Sequence, residues 1–301
     1  MDIKALAQDA APYVVERRHY YHQHPELTGE EKNTRDAIHR DLEALGITDI
    51  RDMVNCYGLV ATIHGGKPGK TVGLRADTDA LSFQEETGLP FASCEPGKMH
   101  ACGHDTHIAM LLGAAKILQA HREELAGNVR LIIQPAEEIG QGAKPFVEAG
   151  VLDGADRVFG LHVAPDLPIG TVGLKPGLNN AAVDLFSIQV HGKSAHVAQP
   201  QLGVDALYIA SQTVVALQAL VTRLTSPVEP VIIGVGKLQA GTTYNALAGS
   251  AVLEGTTRTI SQESRARVRE QITRTARNIA DIYGGRAEVQ WTDITAALIN
   301  A

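Results

Sequence analysis

The stretch Asn128-Val129-Arg130-Leu131-Ile132-Ile133 is a nearly continuous apolar run, which is typical of a strand buried on both faces of a sheet. Working outward from it, the sequence predicts strands at 58–63, 71–74 and 157–161 and helices over 105–121 and 143–149. Strands that alternate with helices of these lengths indicate an α/β fold with a largely parallel, buried sheet.

Two helices are predicted before this α/β layer. Apolar residues at helical spacing predict the first over 2–23. The stretch Thr28-Gly29-Glu30-Glu31 is typical of a capping box, so we expect it to open a second helix that stops at Gly46. The stretch Lys67-Pro68-Gly69-Lys70 predicts a turn between two strands.

The pattern changes near Asn180, where a second module is expected to begin. Its predicted elements are strands at 185–190, 230–235, 251–257 and 288–291 and helices over 204–222 and 261–282, the last with a Ser261 cap. This order predicts a small α+β sandwich. We therefore expect a first domain over 1–180, a second domain over 181–292, and a segment 293–301 that leaves the second domain.

Composition excludes some partners and favours a reducing compartment. The 301 residues include 27 Lys and Arg against 34 Asp and Glu, a formal charge of -7 that argues against non-specific binding to nucleic acid or an anionic membrane. No uninterrupted apolar run is long enough for a membrane span, and Met1-Asp2-Ile3-Lys4 lacks the start of a signal peptide. An odd count of 3 cysteines argues against a disulfide framework, so we expect a cytoplasmic protein.

Acidic and histidine-bearing turns follow three of the predicted strands. Asp77-Thr78-Asp79 follows the strand at 71–74, Glu137-Glu138 follows the central strand, and His162 follows the strand at 157–161. Because sites in open α/β sheets form at the carboxyl ends of strands, these turns are predicted to converge on one rim.

The stretch Met99-His100-Ala101-Cys102-Gly103-His104-Asp105-Thr106-His107 has the highest density of possible metal ligands. Cys102 and His104 are two residues apart, so an extended backbone directs both side chains to one side. Thiolate, imidazole and carboxylate together suit zinc or a similar transition-metal ion. The alternative is a set of solvated histidines at a helix start, with an ordinary buried thiol.

The adjacent carboxylates Glu137 and Glu138 are candidates for two different tasks. Side chains of neighbouring turn residues point in different directions, so one carboxylate can bind metal while the other takes a proton from water. A solvated acidic turn remains the alternative. His162 between apolar residues is also typical of a core histidine, and Asp79 either orients a ligand or caps a turn.

The chain resembles the binuclear metal-dependent amidohydrolases, which include hippurate hydrolase, N-acetyl-diaminopimelate deacetylase and the indole-acetyl-amino-acid hydrolases, relatives of aminoacylase. The resemblance covers essentially the whole chain and is carried by 99–105, Gln134-Pro135-Ala136-Glu137-Glu138 and Gly160-Leu161-His162, with support from 22–27, 74–81 and 255–259.

The resemblance implies a three-layer α/β catalytic domain into which an α+β sandwich is inserted as a lid and dimerisation domain. It also implies two divalent metal ions (Zn, Mn, Co or Ni), with Cys102, His104, Glu138 and His162 as ligands. Glu137 would be the general base for a metal-bound hydroxide that cleaves the amide of an N-acyl amino acid.

The second domain is expected, by the same resemblance, to bind the substrate and form a homodimer. His196 in Gly192-Lys193-Ser194-Ala195-His196 would stabilise the oxyanion and often reaches the partner's site. Asn245 and Arg258 would bind the substrate, and a guanidinium suits a planar carboxylate, although a surface strand Arg is an equal alternative at 258.

Two departures from the family pattern affect these expectations. Gln199-Pro200-Gln201 stands where many relatives have Pro-His, and no histidine follows His196, whereas relatives return to the catalytic domain and supply a last histidine ligand. The resemblance therefore implies C-terminal truncation, either as a fragment of a longer gene product or as a natural truncation, with 293–301 as the start of the return. The expected consequence is fewer than two tightly held ions and weak or absent activity.

Three other functions remain open at this point. A dipeptidase or aminopeptidase would use the same residues on another substrate. A truncated, inactive homologue would act only as a dimerising module. A hydrolase with Cys102 as the nucleophile and His104 as its base is disfavoured, because Glu137 and Glu138 would raise the pKa of the thiol.

Overall fold

The computed structural model describes residues 2–300, and the chain divides into two compact units, Met1–Thr171 and Val172–Ala301. The division falls before the expected boundary near Asn180, because strand residues 177–180 pair within the second unit. The functional domain bounds of 1–180, 181–292 and 293–301 stay a prediction.

The first unit contains four helices and five strands within the described residues. In chain order they are α1 (Ile3–Gln23), α2 (Lys32–Ala44), β1 (Asp49–Asp52), β2 (Leu59–His64), β3 (Lys67–Asp77), α3 (His104–Ala120), β4 (Ala126–Gln134), α4 (Ala143–Glu148) and β5 (Ala155–Gly160).

The five strands form one sheet in the order β1-β2-β4-β3-β5. Strand β3 pairs in parallel with β4 on one side and β5 on the other. Strand β2 pairs antiparallel with both of its neighbours, β1 and β4. Four of the five strands therefore point the same way, and the predicted mostly parallel sheet is confirmed.

Two local predictions for this sheet are wrong. Lys67–Lys70 is not a turn but the start of β3, since Lys67 pairs with Ala126 on β4. The edge strand β5 is not buried, and Phe159 on it is 57% exposed. Strand β1 was not foreseen from the sequence, because its residues Asp49–Asp52 are mostly polar.

The central strand β4 is buried by packing on both faces of the sheet. Leu131 and Ile133 lie in a core cluster with residues of α1, α2 and α3, whereas Ile132 packs with Phe146 of α4 on the opposite face. This alternation follows from the two-residue repeat of a strand, and it explains the continuous apolar run. The three-layer arrangement is thus helix, sheet, helix.

The predicted capping box at 28–31 is wrong, although helix α2 begins directly after it. Glu31 occupies the N-cap position but makes no capping hydrogen bond with its side chain. The Thr28 hydroxyl donates to Asp79 instead, and the Glu31 carboxylate accepts from the backbone N–H of Ala136. Tertiary partners have replaced the local partners that the sequence pattern suggested.

The second unit contains two long helices and six strands within the described part of the chain. These are β6 (Gly177–Asn180), β7 (Ala182–His191), α5 (Ala206–Leu224), β8 (Ile232–Ala240), β9 (Ser250–Thr259), α6 (Gln262–Ile282), β10 (Arg286–Thr295) and β11 (Leu298–Asn300). Four strands form an antiparallel sheet in the order β10-β7-β9-β8, and β6 pairs with β11 separately.

One core cluster joins this antiparallel sheet to α5 and α6, as expected for an α+β sandwich. Phe186 and Ile188 of β7 pack with Ile209 and Leu217 of α5 and Ile272 of α6. By length and composition alone α5 could cross a bilayer, but it presents one face to this core. The Ser261 cap of α6 is confirmed, because its hydroxyl accepts from the backbone N–H of Ser264.

A buried ion cluster ties α6 to β7 in the second unit. The Asp184 carboxylate, 1% exposed, accepts hydrogen bonds from the guanidinium groups of Arg265 and Arg269, one helical turn apart. Burial by itself raises the pKa of Asp184, but the hydrogen bonds from the two arginines outweigh it and lower the pKa. Because the folded pKa lies below the unfolded value, the stabilisation is present above the unfolded value and is lost as pH falls through the folded one.

We predict that Asp184→Asn destabilises the second unit by roughly 3 kcal/mol at pH 7, because Arg265 and Arg269 lose the buried charge that they share. The difference from the unmodified protein should shrink as pH falls below about 4. Urea unfolding at several pH values measures both effects. The matched control Glu254→Gln removes an exposed pair with Lys237 and should cost less than about 1 kcal/mol.

Candidate metal centre

The carboxyl ends of β3, β4 and β5 lie side by side at one edge of the sheet. Asp77 at the end of β3 is the register partner of Gln134 at the end of β4, and Arg75 is the partner of Gly160 at the end of β5. The turns that follow carry Asp79, Glu137-Glu138 and His162. The predicted convergence of these three turns is therefore confirmed.

The stretch with Cys102 and His104 reaches this edge from the start of α3. Gly103 between them has φ of 87°, a left-handed conformation that favours glycine, and a Cβ there would lie 2.5 Å from Val163 Cγ2. This close approach brings the Cys102 Sγ to 3.3 Å from the Nε2 atom of His162.

His104 is shared by three groups of possible ligands. Its donor atoms lie within 4.8 Å of those of Cys102 and His162 in one group, of Glu137 and Glu138 in a second, and of Asp77 and His107 in a third. Its Nε2 atom is 3.8 Å from Glu138 Oε1 and 3.9 Å from Glu137 Oε2. The fold thus brings the four sequence-predicted ligands and the predicted base into one cluster.

The two candidate ligand histidines, His104 and His162, are held in the tautomer that carries no proton on Nε2. The Nδ1 atom of His104 lies 2.8 Å from the backbone carbonyl oxygen of Asp79, and that of His162 lies 2.7 Å from the carbonyl oxygen of Val163. A carbonyl oxygen only accepts, so each Nδ1 carries the proton and donates. Each Nε2 then has a lone pair for a cation.

Two buried polar atoms of the cluster have no hydrogen-bond partner among residues 2–300, namely Nε2 of His104 and Oε1 of Glu138. Buried polar atoms are nearly always paired, and an unpaired nitrogen that faces an unpaired carboxylate oxygen is explained by a bound cation. Sulfur, nitrogen and oxygen donors together also suit a zinc-like ion. The residues present therefore fit a divalent metal centre.

The electrostatics of the cluster favour a cation and disfavour a cysteine nucleophile. Burial, followed by the neighbouring Glu138 and Glu137 carboxylates, raises the pKa of Cys102 to about 12. A thiol with such a pKa is protonated near neutrality and is a poor nucleophile. Burial lowers the pKa of His104, but the carboxylates of Asp79 and Asp77 outweigh it and raise the pKa.

The acidic turn is held by Asp79, for which the sequence left two roles open. Its Oδ1 accepts from the backbone N–H of Glu137 and its Oδ2 from that of Glu138, both at 3.0 Å. The Thr28 hydroxyl donates to the same Oδ2 at 2.7 Å. Burial raises the pKa of Asp79, but the hydrogen bonds from His104, Thr28 and the two amides outweigh it and lower the pKa.

His107 is a part of the site to which the sequence assigned no role. The Val163 N–H donates to its Nε2 at 3.0 Å, so the proton is on Nδ1, which donates to Asp77 Oδ1 at 2.5 Å. His107 thereby joins the end of β3 to the loop that carries His162. Its position three residues after His104, on the same helical face, is the signal that could have revealed it.

A buried network behind the centre ties the first turn of α3 to α1. Asp105 accepts from His22 Nδ1 at 2.8 Å and pairs with Arg18 at 2.9 Å, while the Nε2 atom of His22 lies 3.2 Å from Glu85. His100 beside this network is buried, and burial lowers its pKa to about 4.

Two of the three substrate-binding candidates lie on neighbouring segments of the second unit. Residues 195–197 run beside 245–247, with a bridge between His196 and Ala246 and a hydrogen bond from Val197 N–H to the Asn245 carbonyl. The Nδ1 atom of His196 accepts from the Ala198 N–H at 3.1 Å. Arg258 lies apart on β9, where its guanidinium donates to Thr256 Oγ1 and the Thr257 carbonyl.

We predict that His107→Ala weakens metal binding about 10- to 100-fold, because the His162 loop loses its link to Asp77. His107→Gln keeps one hydrogen-bond donor and one acceptor and should weaken metal binding less. Chelator competition with elemental analysis measures the change, and His121→Ala at the exposed end of α3 is the control. Unchanged metal affinity in His107→Ala would contradict the positioning role.

The chain matches a model of one protein family and several curated relatives. The sequence model of peptidase family M20/M25/M40 matches residues 73–297. An N-acetyl-L-cysteine deacetylase from Bacillus subtilis is 45% identical over 96% of this chain and 71% of its own length. An N-acyl-L-amino acid amidohydrolase from Geobacillus stearothermophilus is 38% identical over 96% and 78% of the two chains. Thermostable carboxypeptidase 1 from Saccharolobus solfataricus is 38% identical over 97% and 75%.

Solved structures agree with these relatives. A putative aminohydrolase from methicillin-resistant Staphylococcus aureus matches with a TM-score of 0.95 and 36% identity, over 100% of this chain and 80% of its own. The Bacillus subtilis YXEP protein, described as a dinuclear metal binding peptidase from the M20 family, matches with a TM-score of 0.83 and 40% identity, over 99% and 77% of the two chains.

Proposed function

Because the chain belongs to peptidase family M20/M25/M40, we propose that it is a metal-dependent amidohydrolase that cleaves the amide bond of N-acyl amino acids. The observation that carries the proposal is the convergence of Cys102, His104, Glu138 and His162 at one sheet edge, with Glu137 beside them. Two relatives with 45% and 38% identity are named for removal of an acyl group from an amino acid.

Cys102, His104, Glu138 and His162 would be ligands of two divalent ions, in keeping with the dinuclear peptidase at 40% identity, and these four ligands alone are expected to hold fewer than two ions tightly. Zn, Mn, Co and Ni are all compatible with a mixed sulfur, nitrogen and oxygen donor set. When bound, such cations polarise the amide carbonyl and make water a better nucleophile near neutral pH.

Glu137 is the group that moves the proton. Its carboxylate is not tied to the backbone as that of Asp79 is, and burial, followed by the charge of Asp77, raises its pKa. A higher pKa lets the carboxylate take a proton from the attacking water and return it to the leaving amine. Glu138, whose Oε1 lies 3.8 Å from His104 Nε2, serves as a ligand.

His196, Asn245 and Arg258 would act on the substrate from the second unit. Because Nδ1 of His196 accepts a backbone N–H, its neutral ring carries the proton on Nε2, which can donate to a developing oxyanion. The Arg258 guanidinium would pair with the planar carboxylate of the amino acid, and Asn245 would add a polar contact.

A second candidate function is carboxypeptidase activity, which the 38% identical thermostable carboxypeptidase favours. A peptide's C-terminal residue and an N-acyl amino acid share an amide next to a free carboxylate, so the same groups would serve both. Parallel assays with N-acetyl amino acids and N-blocked dipeptides distinguish the two, because only a carboxypeptidase should prefer the peptide.

We predict that Glu137→Gln lowers kcat for N-acetyl amino acids by about 10³-fold, because the proton acceptor is lost, while metal uptake is unchanged. Turnover with added Mn²⁺, Zn²⁺ or Co²⁺ and elemental analysis measure the two effects. Glu148→Gln, in an exposed pair with Lys144, is the control. Normal turnover in the Glu137 variant would remove the base assignment.

We further propose a homodimer formed through the second unit. Strand β8 is an edge of its sheet, and Ile232 on it is 60% exposed. Val215 on the outer face of α5 is 68% exposed. An unpaired strand edge beside exposed apolar side chains is suited to a second copy.

Val215→Glu is predicted to shift this dimer to monomer, because a carboxylate would be buried in the interface. Analytical ultracentrifugation measures the shift in sedimentation. Val54→Glu changes an equally apolar, 96% exposed residue of the first unit and should leave the oligomeric state unchanged. A monomeric unmodified protein would contradict the dimer.

The second domain, 181–292, is proposed as an insertion and a lid. The chain enters the antiparallel sheet after β6 and leaves it before β11, and these two strands pair with each other. Adjacent entry and exit strands are what an inserted domain requires. A cytoplasmic location is proposed because Cys56, Cys94 and Cys102 are free thiols and a metal-binding thiolate must stay reduced.

A further inference from the structure

The turn that carries Glu137 and Glu138 has an unusual backbone. Ala136 has φ of 54°, and it is the one non-glycine residue with positive φ among residues 2–300. Such a conformation is disfavoured for a residue with a Cβ, so it persists only where the surroundings hold it. The turn is closed on its other side by the Gly142 N–H, which donates to the Ala136 carbonyl at 3.0 Å.

Three successive N–H groups of this turn donate to buried carboxylates. The Ala136 N–H donates to Glu31 Oε1 at 2.9 Å, and those of Glu137 and Glu138 donate to the two oxygens of Asp79 at 3.0 Å. Consecutive amides that point into one concavity form an anion-binding nest. Here the nest is filled by side chains of the protein itself.

Glu31 is 1% exposed, and its side chain makes no capping hydrogen bond in α2. Its Oε2 is buried and has no partner among the described residues, and burial raises its pKa. A buried carboxylate is costly unless it is compensated. Within residues 2–300 its one side-chain hydrogen bond leads to the turn, more than a hundred positions away in sequence.

We propose that Glu31 is a positioning residue that clamps the Ala136 N–H and so keeps the carboxylates of Glu137 and Glu138 side by side at His104. The clamp rests on the proposed function, in which Glu137 is the base and Glu138 is a metal ligand. Asp79, which accepts a hydrogen bond from Thr28, binds the amides of Glu137 and Glu138. Glu31 binds the amide of Ala136, the residue with the disfavoured positive φ. Without Glu31, Ala136 can relax, which rotates the peptide that leads into Glu137.

The first experiment measures amide hydrogen exchange in the metal-free chain, which requires no activity. Glu31→Ala should speed exchange of the 136–138 amides about tenfold or more, because the acceptor is gone. Glu31→Gln keeps a carbonyl oxygen at the same reach and should stay close to the unmodified protein. Glu31→Asp keeps the charge but shortens the side chain, and should resemble Glu31→Ala.

The matched control is Glu30→Gln, a neighbouring exposed carboxylate that pairs with Lys98 on the surface. It should leave exchange at the turn unchanged. If Glu31→Ala does not fold, the contrast between Glu31→Gln and Glu31→Asp decides the question. Equal exchange in these two variants, or unchanged exchange in Glu31→Ala, would overturn the proposal.

The second experiment measures turnover of the metal-loaded protein with an N-acetyl amino acid. Glu31→Ala should lower kcat about 10- to 100-fold, with KM and metal content within about twofold of the unmodified values, because a base displaced by about 1 Å loses alignment. Glu31→Gln should recover most of the loss. A loss that only follows the folded fraction would show a merely structural role and would overturn the clamp.

The two experiments separate this inference from the proposed function. If Glu137→Gln keeps full turnover, the base assignment fails, whereas the exchange result still decides whether Glu31 holds the turn. If Glu137→Gln is inactive and Glu31→Ala keeps full kcat, the proposed function stands and the clamp fails.

Discussion

The buried carboxylate of Asp79 is the interaction on which the site depends. It follows the last residues of β3, and its two oxygens accept the N–H groups of Glu137 and Glu138 from the turn after β4. Its backbone carbonyl accepts from His104 at the start of α3. One residue therefore sets the direction of the acidic turn and the tautomer of His104, which otherwise belong to separate elements.

This arrangement concentrates negative charge where water is scarce. Asp77 and Asp79 are buried beside Glu137 and Glu138, and burial together with the carboxylates of Glu138 and Glu137 raises the pKa of Cys102. Histidines and hydrogen bonds offset part of this charge, but the unpaired atoms of His104 and Glu138 remain. A divalent cation is the simplest group that satisfies both, so the electrostatics and the ligand geometry lead to the same conclusion.

Much of the fold and of the site could be predicted from local sequence. Apolar periodicity located the main helices and most of the strands, and strand order brought the turns with Asp79, Glu137 and His162 to one rim. The errors occurred where a local pattern competed with distant partners. Thr28 and Glu31 fit the pattern of a capping box, but they form hydrogen bonds to Asp79 and Ala136. An unpaired amide in a buried turn costs more free energy than one at a helix end, where water can pair with it.

The sequence by itself determined the alternation of strands and helices and the residue types available for metal chemistry, because both follow from neighbours a few positions apart. Only the tertiary structure decided which ring nitrogen is free, that His107 joins Asp77 to the Val163 loop, and that Glu31 supports Ala136. These bonds link residues far apart in the chain. Their partners are set by how helices pack on the sheet, and no local pattern encodes that packing.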